Sequence, residues 1–184
     1  RYAEIFSKSC KTGADSSNIS KTNHAELCRK IGAYRHVLLV FPLYADGIPV
    51  TLLNFLKTLE NTPPEGKPVI SVLINCGFLE YEQNSVAVDV IRFFCQENGY
   101  PFGSVLKIGS GEAILDTPFR FFAVRKIKKL AASLDSGNPV SLQVTMPISP
   151  KMFVKASTNY WINYGKRYGV SQEEMNTMEI ESQN

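Results

Sequence analysis

Residues 37–60 read VLLVFPLYADGIPVTLLNFLKTLE, and this stretch decides the fold class. Its first five residues are continuously apolar, and Pro42 ends the run. A short run that is apolar on both faces is typical of a strand in a parallel sheet, which helices cover on both sides. After a short loop, Pro49 begins a helical pattern whose leucines recur on one stripe. The stretch therefore predicts a strand, a loop and an amphipathic helix in succession.

The same alternation extends to both sides of this stretch. Further strands are predicted at Tyr2–Phe6, Val69–Ile74 and Ser104–Ile108. Further helices are predicted at His24–Ala33, Asn84–Asn98, Thr117–Leu134 and Lys151–Tyr168. Strands that alternate with helices predict an α/β fold in three layers, with a parallel sheet between two layers of helices.

Composition excludes several classes of protein. The chain has 184 residues, of which 44% are hydrophobic and 20% charged, which fits one globular domain with an appended segment. A net charge of +3 without a long basic run argues against a nucleic-acid partner. Four cysteines without C-x-x-C spacing and two histidines argue against a metal site and favour a reducing compartment. We expect a cytoplasmic protein without a membrane span, because no apolar run approaches the roughly 18 residues that a span needs.

Candidate ligand contacts follow the predicted strands. In an open α/β sheet, ligands bind beyond the carboxyl ends of the strands, which here means residues 42–49, 75–80 and 109–112. Each of these loops contains glycine, which lets the backbone approach a flat ligand closely. Tyr44 and Phe78 add planar apolar area. The three loops therefore predict a site for a planar heteroaromatic ring whose edge is bound by backbone groups.

Three stretches resemble one known family. They are residues 37–60, VISVLINCGFLEYEQN at 69–84 and KIGSGEA at 107–113, and in this order they resemble the flavodoxin-like NAD(P)H-dependent oxidoreductases, which include FMN reductases. The resemblance implies a flavodoxin-like fold with strand order 2-1-3-4-5 and noncovalently bound FMN. It implies contacts to the cofactor from Pro42, Leu43, Tyr44, Ala45, Asp46 and Gly47 in the first loop, and from Asn75, Cys76, Gly77, Phe78 and Glu80 in the second. No catalytic side chain and no metal are implied, because the flavin carries the chemistry.

The function that this resemblance implies is hydride transfer from NADH or NADPH through FMN to a small acceptor, such as a quinone or a free flavin. The protein is expected to be a homodimer. One alternative is an electron carrier of the flavodoxin type, which the net charge of +3 disfavours because such carriers are commonly acidic. The other alternative is an interaction protein that keeps the scaffold without the flavin.

Individual residues admit a structural interpretation beside the functional one. Cys76 is interpreted as a packing thiol that offers a ligand only its backbone. Glu80 is interpreted as a cap for the helix that begins near Asn84. The basic residues between Arg120 and Lys129 are interpreted as a solvated helix face rather than a site for the 2′-phosphate of NADPH.

The phosphate of FMN raises a separate question, because the family holds it between the first strand and the first helix. In one interpretation Tyr2–Phe6 is the second strand, so that the first strand precedes Arg1. In the other, Tyr2–Phe6 is the first strand and Ser7–Asn18, which reads SKSCKTGADSSN, is the phosphate loop. The second interpretation is the less favoured one, because the second strand is then missing and little room remains before His24 for a full helix. Residues 7–18 are more simply interpreted as a flexible polar loop.

The C-terminal part breaks the alternation. We expect a flavodoxin-like domain at 1–139 and an extension at 140–184. Aromatic residues at helical spacing in the extension predict packing on the core or on a second subunit; they are Phe153, Tyr160, Trp161, Tyr164 and Tyr168. A membrane-surface role is the weaker alternative, with Lys151, Lys155, Lys166 and Arg167 as the polar face, because Asn159, Asn163 and Gly165 interrupt the pattern.

Overall fold

The computed structural model describes residues 1–177, which fall into two compact units. The first unit is Arg1–Met146, and the second begins at Pro147. The strands of the first unit are β1 (His36–Pro42), β2 (Val69–Asn75), β3 (Phe102–Ile108) and β4 (Ser141–Val144). Its helices are α1 (Tyr2–Ser7), α2 (His24–Ile31), α3 (Val50–Asn61), α4 (Ser85–Glu97) and α5 (Arg120–Ser136), with 3₁₀ turns at Tyr81–Asn84 and Ile114–Asp116. The second unit contains α6 (Pro150–Arg167) and α7 (Gln172–Met175).

The four strands form one parallel sheet in the order β1-β2-β3-β4, with helices on both faces. Successive side chains of a strand point to opposite faces. Val72 and Ile74 of β2 belong to a buried cluster with apolar residues of α2, α3 and α4. On the other face, Ser104 of β3 bonds Ser133 of α5 at 2.8 Å, and α1 packs against α5. The predicted three-layer α/β architecture is therefore confirmed.

Most of the predicted elements are confirmed within a few residues, and β1 to β3 are adjacent as expected for the third, fourth and fifth strands of the family. The strand Ser141–Val144 was not predicted. It pairs with β3, so the first compact unit continues to Met146 rather than ending at residue 139. In the described residues, the sheet contains no strand before His36.

The predicted strand at Tyr2–Phe6 is wrong, because this segment is helix α1. The less favoured interpretation, in which Ser7–Asn18 is a phosphate loop after a first strand at Tyr2–Phe6, fails with it. The amide of Lys11 and the hydroxyl of Thr12 each lie 3.3 Å from a carboxylate oxygen of Asp135, at the end of α5. Since α5 starts after the carboxyl end of β3 and runs back, this loop lies toward the amino edge of the sheet, away from the predicted site.

The second unit is a long helix followed by a short one. Ser149 caps α6, because its hydroxyl accepts a hydrogen bond from the amide of Met152 at 3.3 Å. Ser171 and Glu174 form a reciprocal capping box at α7. Gly165 of α6 is buried against Met175 of α7. None of the described helices is long and apolar enough to cross a membrane.

Candidate functional site

The carboxyl ends of the strands lie side by side at one edge of the sheet. Pro42 is paired with Asn75, Asn75 with Ile108, and Ile108 with Val144. The ladder continues one residue further, since the amide of Leu43 donates to the carbonyl of Asn75 at 2.8 Å. Neighbouring strands are about 4.8 Å apart, so the loops that follow them begin next to one another. The loops that carry Tyr44 and Phe78 therefore leave the same edge of the sheet.

The loop after β1 contains a tight turn, which we call the Tyr44 turn (residues 44–47). Tyr44 and Gly47 exchange backbone hydrogen bonds of 3.1 and 2.9 Å. Between them, Ala45 and Asp46 have φ angles of 44° and 57°, the signs of a type I′ turn. Left-handed backbone costs about 1–2 kcal/mol for a residue with a Cβ atom. The Tyr44 side chain is 64% exposed, so the turn presents an uncovered aromatic ring.

The loop after β2, residues 75–80, is organised around a buried thiol. Cys76 Sγ lies 3.7 Å from the carbonyl of Phe78 and 3.6 Å from that of Glu80. The side-chain amide of Asn84 donates to the same sulfur at 3.3 Å. Burial raises the pKa of the Cys76 thiol, which keeps it protonated at neutral pH. This environment fits the packing interpretation of Cys76 and leaves the exposed Phe78 ring at the surface of the loop.

Glu80 does not cap a helix with its side chain. It occupies the N-cap position of the 3₁₀ turn Tyr81–Asn84, and its carboxylate makes no capping hydrogen bond there. Asn84 precedes α4, also without a side-chain cap. The predicted capping role of Glu80 is therefore wrong, because the 3₁₀ turn separates it from α4.

The loop after β3, residues 109–113, is joined tightly to the loop after β2. The amide of Gly111 donates to the carbonyl of Cys76 at 2.7 Å, and the amide of Ser110 donates to the carbonyl of Phe78. A Cβ atom on Gly111 would lie 2.7 Å from the side-chain nitrogen of Asn75. Only glycine permits this approach. We call the two joined loops, residues 75–80 and 109–113, the platform.

Ser110 fixes the far side of the platform. It is fully buried, has a φ of 51°, and its hydroxyl bonds the hydroxyl of Thr145 at 2.8 Å. Within residues 1–177, the non-glycine residues with a positive φ are Ala45, Asp46 and Ser110. All three lie in loops at the carboxyl edge of the sheet. Strain of this kind concentrates at functional sites, where the surrounding structure holds it.

A cleft of about 370 Å³ opens beside the platform, within the range of small-molecule sites. Its walls come from α1, the end of β1 and the platform, and consist of Arg1, Tyr2, Ala3, Val40, Phe41, Pro42, Asn75, Gly111, Glu112 and Leu115. Tyr2 closes one side, because its hydroxyl donates to the carbonyl of Gly111 at 2.6 Å. Burial is the main cause that raises the pKa of Tyr2, so the hydroxyl stays a donor. Arg1 pairs with Asp116 at 2.7 Å, and this hydrogen bond lowers the pKa of the Asp116 carboxyl.

Comparison with known proteins bears on the fold. No family model and no curated protein matches the chain. Among solved structures, it is similar to the rubredoxin oxygen:oxidoreductase of the anaerobe Desulfovibrio gigas, with a TM-score of 0.59 and 12% identity. The match covers 74% of this chain and 32% of that one, so the chain spans about a third of that protein's length.

The fold is flavodoxin-like. This agrees with the fold class that the sequence predicts, and it places the predicted residues in loops at one edge of the flavodoxin-like sheet. Of those residues, the structure brings Pro42 and Asn75 into the walls of the cleft. The other predicted contacts lie outside its walls, and they are Leu43, Tyr44, Ala45, Asp46, Gly47, Cys76, Gly77, Phe78 and Glu80.

Sequence reasoning missed the contribution of α1 to the cleft. Arg1, Tyr2, Ala3 and Leu115 line it, and the segment that contains Tyr2 was interpreted as a strand. Glu112 was noted only as part of a glycine-rich loop. Its carboxyl carbon lies 3.9 Å from the position that a Cβ atom of Gly77 would occupy, so it faces the loop after β2. The G-S-G-E spacing after a strand was the one signal that pointed to this residue.

Proposed function

We propose that the α/β unit binds FMN at the carboxyl edge of its sheet and passes hydride from NADH or NADPH through the flavin to a small acceptor. One observation carries the proposal. All the non-glycine residues with left-handed backbone in residues 1–177 lie in the loops beside one cleft. A fold that stores strain at one edge and packs regularly elsewhere indicates that the strained loops serve a ligand.

The residues present at this edge suit a flavin. Tyr44 is 64% exposed and Phe78 is 53% exposed, so two aromatic rings are available for an apolar planar ring system. Within residues 1–177, the amides of Gly77 and Phe78 donate to no protein acceptor, which leaves them free for the polar edge of such a ring. The absence of a side chain at Gly77, where a Cβ atom would meet nothing nearer than Glu112 at 3.9 Å, permits close approach of a ligand to the backbone.

The work of the protein in this proposal is to bind, orient and exclude water. When bound, FMN supplies two-electron chemistry between a hydride donor and an acceptor. Residues 42–47 would cover one side of the ring. Residues 75–78 would border its polar edge, with Glu80 following in the same loop. The platform is suited to this task because its hydrogen bonds fix the positions of the free amides before a ligand arrives.

The direct experiment is a titration of the protein with FMN, followed by gel filtration and a visible spectrum. The proposal expects a yellow complex that NADH or NADPH bleaches under exclusion of oxygen. Tyr44→Ala is expected to weaken FMN binding about tenfold, because aromatic contacts contribute on the order of 1 kcal/mol beyond buried area. Phe93→Ala is the matched control, since Phe93 is also 64% exposed but lies on α4. A colourless protein after gel filtration contradicts the proposal.

One structural observation favours a second function, an electron carrier of the flavodoxin type. The loops at the carboxyl edge carry the carboxylates Asp46, Glu80 and Glu112 and contain no Lys, Arg or His, although the chain has a net charge of +3. Local negative charge attracts a basic redox protein. Retained FMN that NADH and NADPH fail to reduce, but that a reduced basic redox protein reduces, would select the carrier.

We also propose that the protein is cytoplasmic and forms a homodimer. Light scattering on the full chain measures its mass in solution. A mass close to 41 kDa, twice the 20.5 kDa of one chain, is the expected result, and a mass of one chain contradicts it.

A further inference from the structure

Helix α6 carries a continuous row of exposed aromatic rings. Tyr160 and Tyr164 stack with ring centroids 6.1 Å apart, and Tyr164 contacts Tyr168 at 5.0 Å. Trp161 packs edge-on against Tyr160 at 5.3 Å. These four rings, which we call the aromatic strip, are between 41% and 70% exposed. The strip therefore leaves a large apolar area uncovered along about two turns of helix.

Exposure of this kind is concentrated in the second unit. Eight of the sixteen exposed large apolar side chains in the described residues lie at 147–177, a segment of 31 among 177 residues. Besides the aromatic strip they are Met152, Val154, Val170 and Met175. Contiguous exposed apolar area on this scale marks a surface that contacts something else.

The side of α6 opposite the aromatic strip is mainly polar and basic, with Met152 and Ile162 as its apolar members. At about 100° per residue, Lys151, Lys155 and Lys166 fall on the side away from the rings, whereas Arg167 falls beside Tyr160 and Tyr164. Asn159 and Asn163 fall on the same polar side, so they extend the amphipathic pattern rather than interrupting it. Gly165, the remaining interruption in the sequence, is buried by the contact of α6 with Met175.

The segment around the aromatic strip is also free of carboxylates. Residues 136–172 contain no Asp or Glu, and they contain Lys151, Lys155, Lys166 and Arg167. The first carboxylates after the strip are Glu173 and Glu174 in α7, and Glu174 is engaged in the capping box with Ser171. Helix α6 by itself therefore carries a charge of +4, which complements a negatively charged surface.

We propose that α6 lies along an anionic lipid surface, with the aromatic strip at the level of the headgroups and the lysines toward water. Aromatic rings on one side of a helix and three lysines on the other match a planar boundary between apolar and aqueous phases, with Arg167 at the border between the two sides. Tyrosine and tryptophan suit this depth because one end of each ring is apolar and the other is polar. Single-stranded nucleic acid requires several cations beside the stacking rings, where α6 offers Arg167 alone. A second copy of the chain would leave the lysine side without a partner.

Trp161 provides a direct test, because it is the single tryptophan of the chain. The full chain is mixed with vesicles of phosphatidylcholine alone, or of equal parts phosphatidylcholine and phosphatidylglycerol. The anionic vesicles are expected to shift Trp161 emission to the blue and protect it from aqueous quenchers, and added salt is expected to reverse both changes. Neutral vesicles are expected to leave the emission unchanged. This test does not depend on flavin binding.

Matched variants separate the two sides of the helix. Tyr160→Ser with Tyr164→Ser is expected to lower partitioning into anionic vesicles about tenfold, whereas Asn159→Ser with Asn163→Ser changes it by less than about twofold. Circular dichroism verifies that both variants keep the helix. An unchanged Trp161 spectrum with anionic vesicles overturns the proposal, as does an equal response to neutral vesicles. A shift that follows protein concentration without lipid assigns the strip to a second copy, and a shift with single-stranded RNA alone assigns it to nucleic acid.

Discussion

The Tyr44 turn and the platform meet at the same edge of the sheet, but they are held in different ways. The platform is fixed by hydrogen bonds between its two loops and by glycines that touch neighbouring atoms. The Tyr44 turn is closed by the two hydrogen bonds between Tyr44 and Gly47, and it contains two strained residues. This difference suits a ligand that the fixed platform positions and the less constrained Tyr44 turn covers. The comparison predicts that substitutions in the platform cost stability and that substitutions in the turn act mainly on binding.

The largest effect on stability is expected from Gly109→Ala in the platform. A Cβ atom there would overlap the carbonyl oxygen of Leu79 and lie 2.8 Å from Thr145 Oγ1. Backbone atoms cannot move aside as a flexible side chain can, so the free energy of unfolding should fall by about 3 kcal/mol. Urea denaturation measures it. Gly47→Ala in the Tyr44 turn is the control, because its Cβ would meet Tyr44 O at 3.7 Å, and it should change stability by less than about 0.5 kcal/mol.

A smaller loss is expected from Asn84→Leu, which removes the amide that supports the loop after β2. Asn84 is fully buried and donates to Cys76 Sγ and to the carbonyl of Tyr81. The loss of these bonds should lower the free energy of unfolding by about 2 kcal/mol and expose Cys76 to thiol reagents. Asn61→Leu is the control, since the amide of Asn61 bonds a carbonyl on an exposed helix end. Equal losses in both variants would mean that the platform does not depend on Asn84.

The Tyr44 turn should respond in the opposite direction to glycine. Ala45 has a φ of 44°, so Ala45→Gly removes backbone strain and should raise the free energy of unfolding by up to about 1 kcal/mol. Ala45→Val should lower it, because a branched Cβ fits this region poorly. Thermal denaturation of the pair measures the difference. Equal stability of the two variants would show that the turn is not strained in solution.

The smallest effect concerns pH and the Arg1–Asp116 pair beside the platform. The hydrogen bond from Arg1 lowers the folded-state pKa of Asp116, so the pair stabilises the fold above the unfolded-state pKa of an aspartate. That contribution is lost as the pH falls through the lowered folded-state pKa. Asp116→Asn should therefore lower the melting temperature slightly in the neutral region and leave it unchanged at the acid end, which flattens the acid side of a plot of melting temperature against pH. An identical acid limb in the variant contradicts the assignment.

The parts of the fold that sequence predicted correctly are those with strong local signals. The run Val69–Ile74 is apolar at nearly every position, and it is buried in the sheet from Ile70 to Ile74. The prediction of a strand at Tyr2–Phe6 was wrong because a segment this short fits both the two-residue period of a strand and the 3.6-residue period of a helix. Tyr2, Ile5 and Phe6 also have the spacing of one helical face. Packing against α5 decides in favour of the helix. The strand Ser141–Val144 was missed because it lies at the edge of the sheet, where Ser141 and Gln143 are exposed. Such a strand has little hydrophobic pattern to detect.

The candidate site was also predictable only in the parts that local sequence patterns determine. The loops at the carboxyl edge follow from strand positions alone, and the structure places residues 42–49 and 75–80 there. The joining of Gly109 and Gly111 to the loop after β2 depends on the register between β2 and β3, which no local pattern encodes. The wall that Tyr2 adds to the cleft depends on where α1 packs, which is a tertiary property. Sequence therefore located the edge, and tertiary contacts define the cleft.

Hydrogen–deuterium exchange with and without FMN is the sharpest test of a flavin site at the carboxyl edge, because it reports the position of the ligand as well as its binding. The account predicts protection by FMN at residues 42–49, 75–80 and 109–113, including the free amides of Gly77 and Phe78. It predicts unchanged exchange at residues 62–68 and 98–101, in the loops at the amino edge of the sheet. A protein that turns yellow with FMN while these carboxyl-edge loops exchange as before would contradict the account.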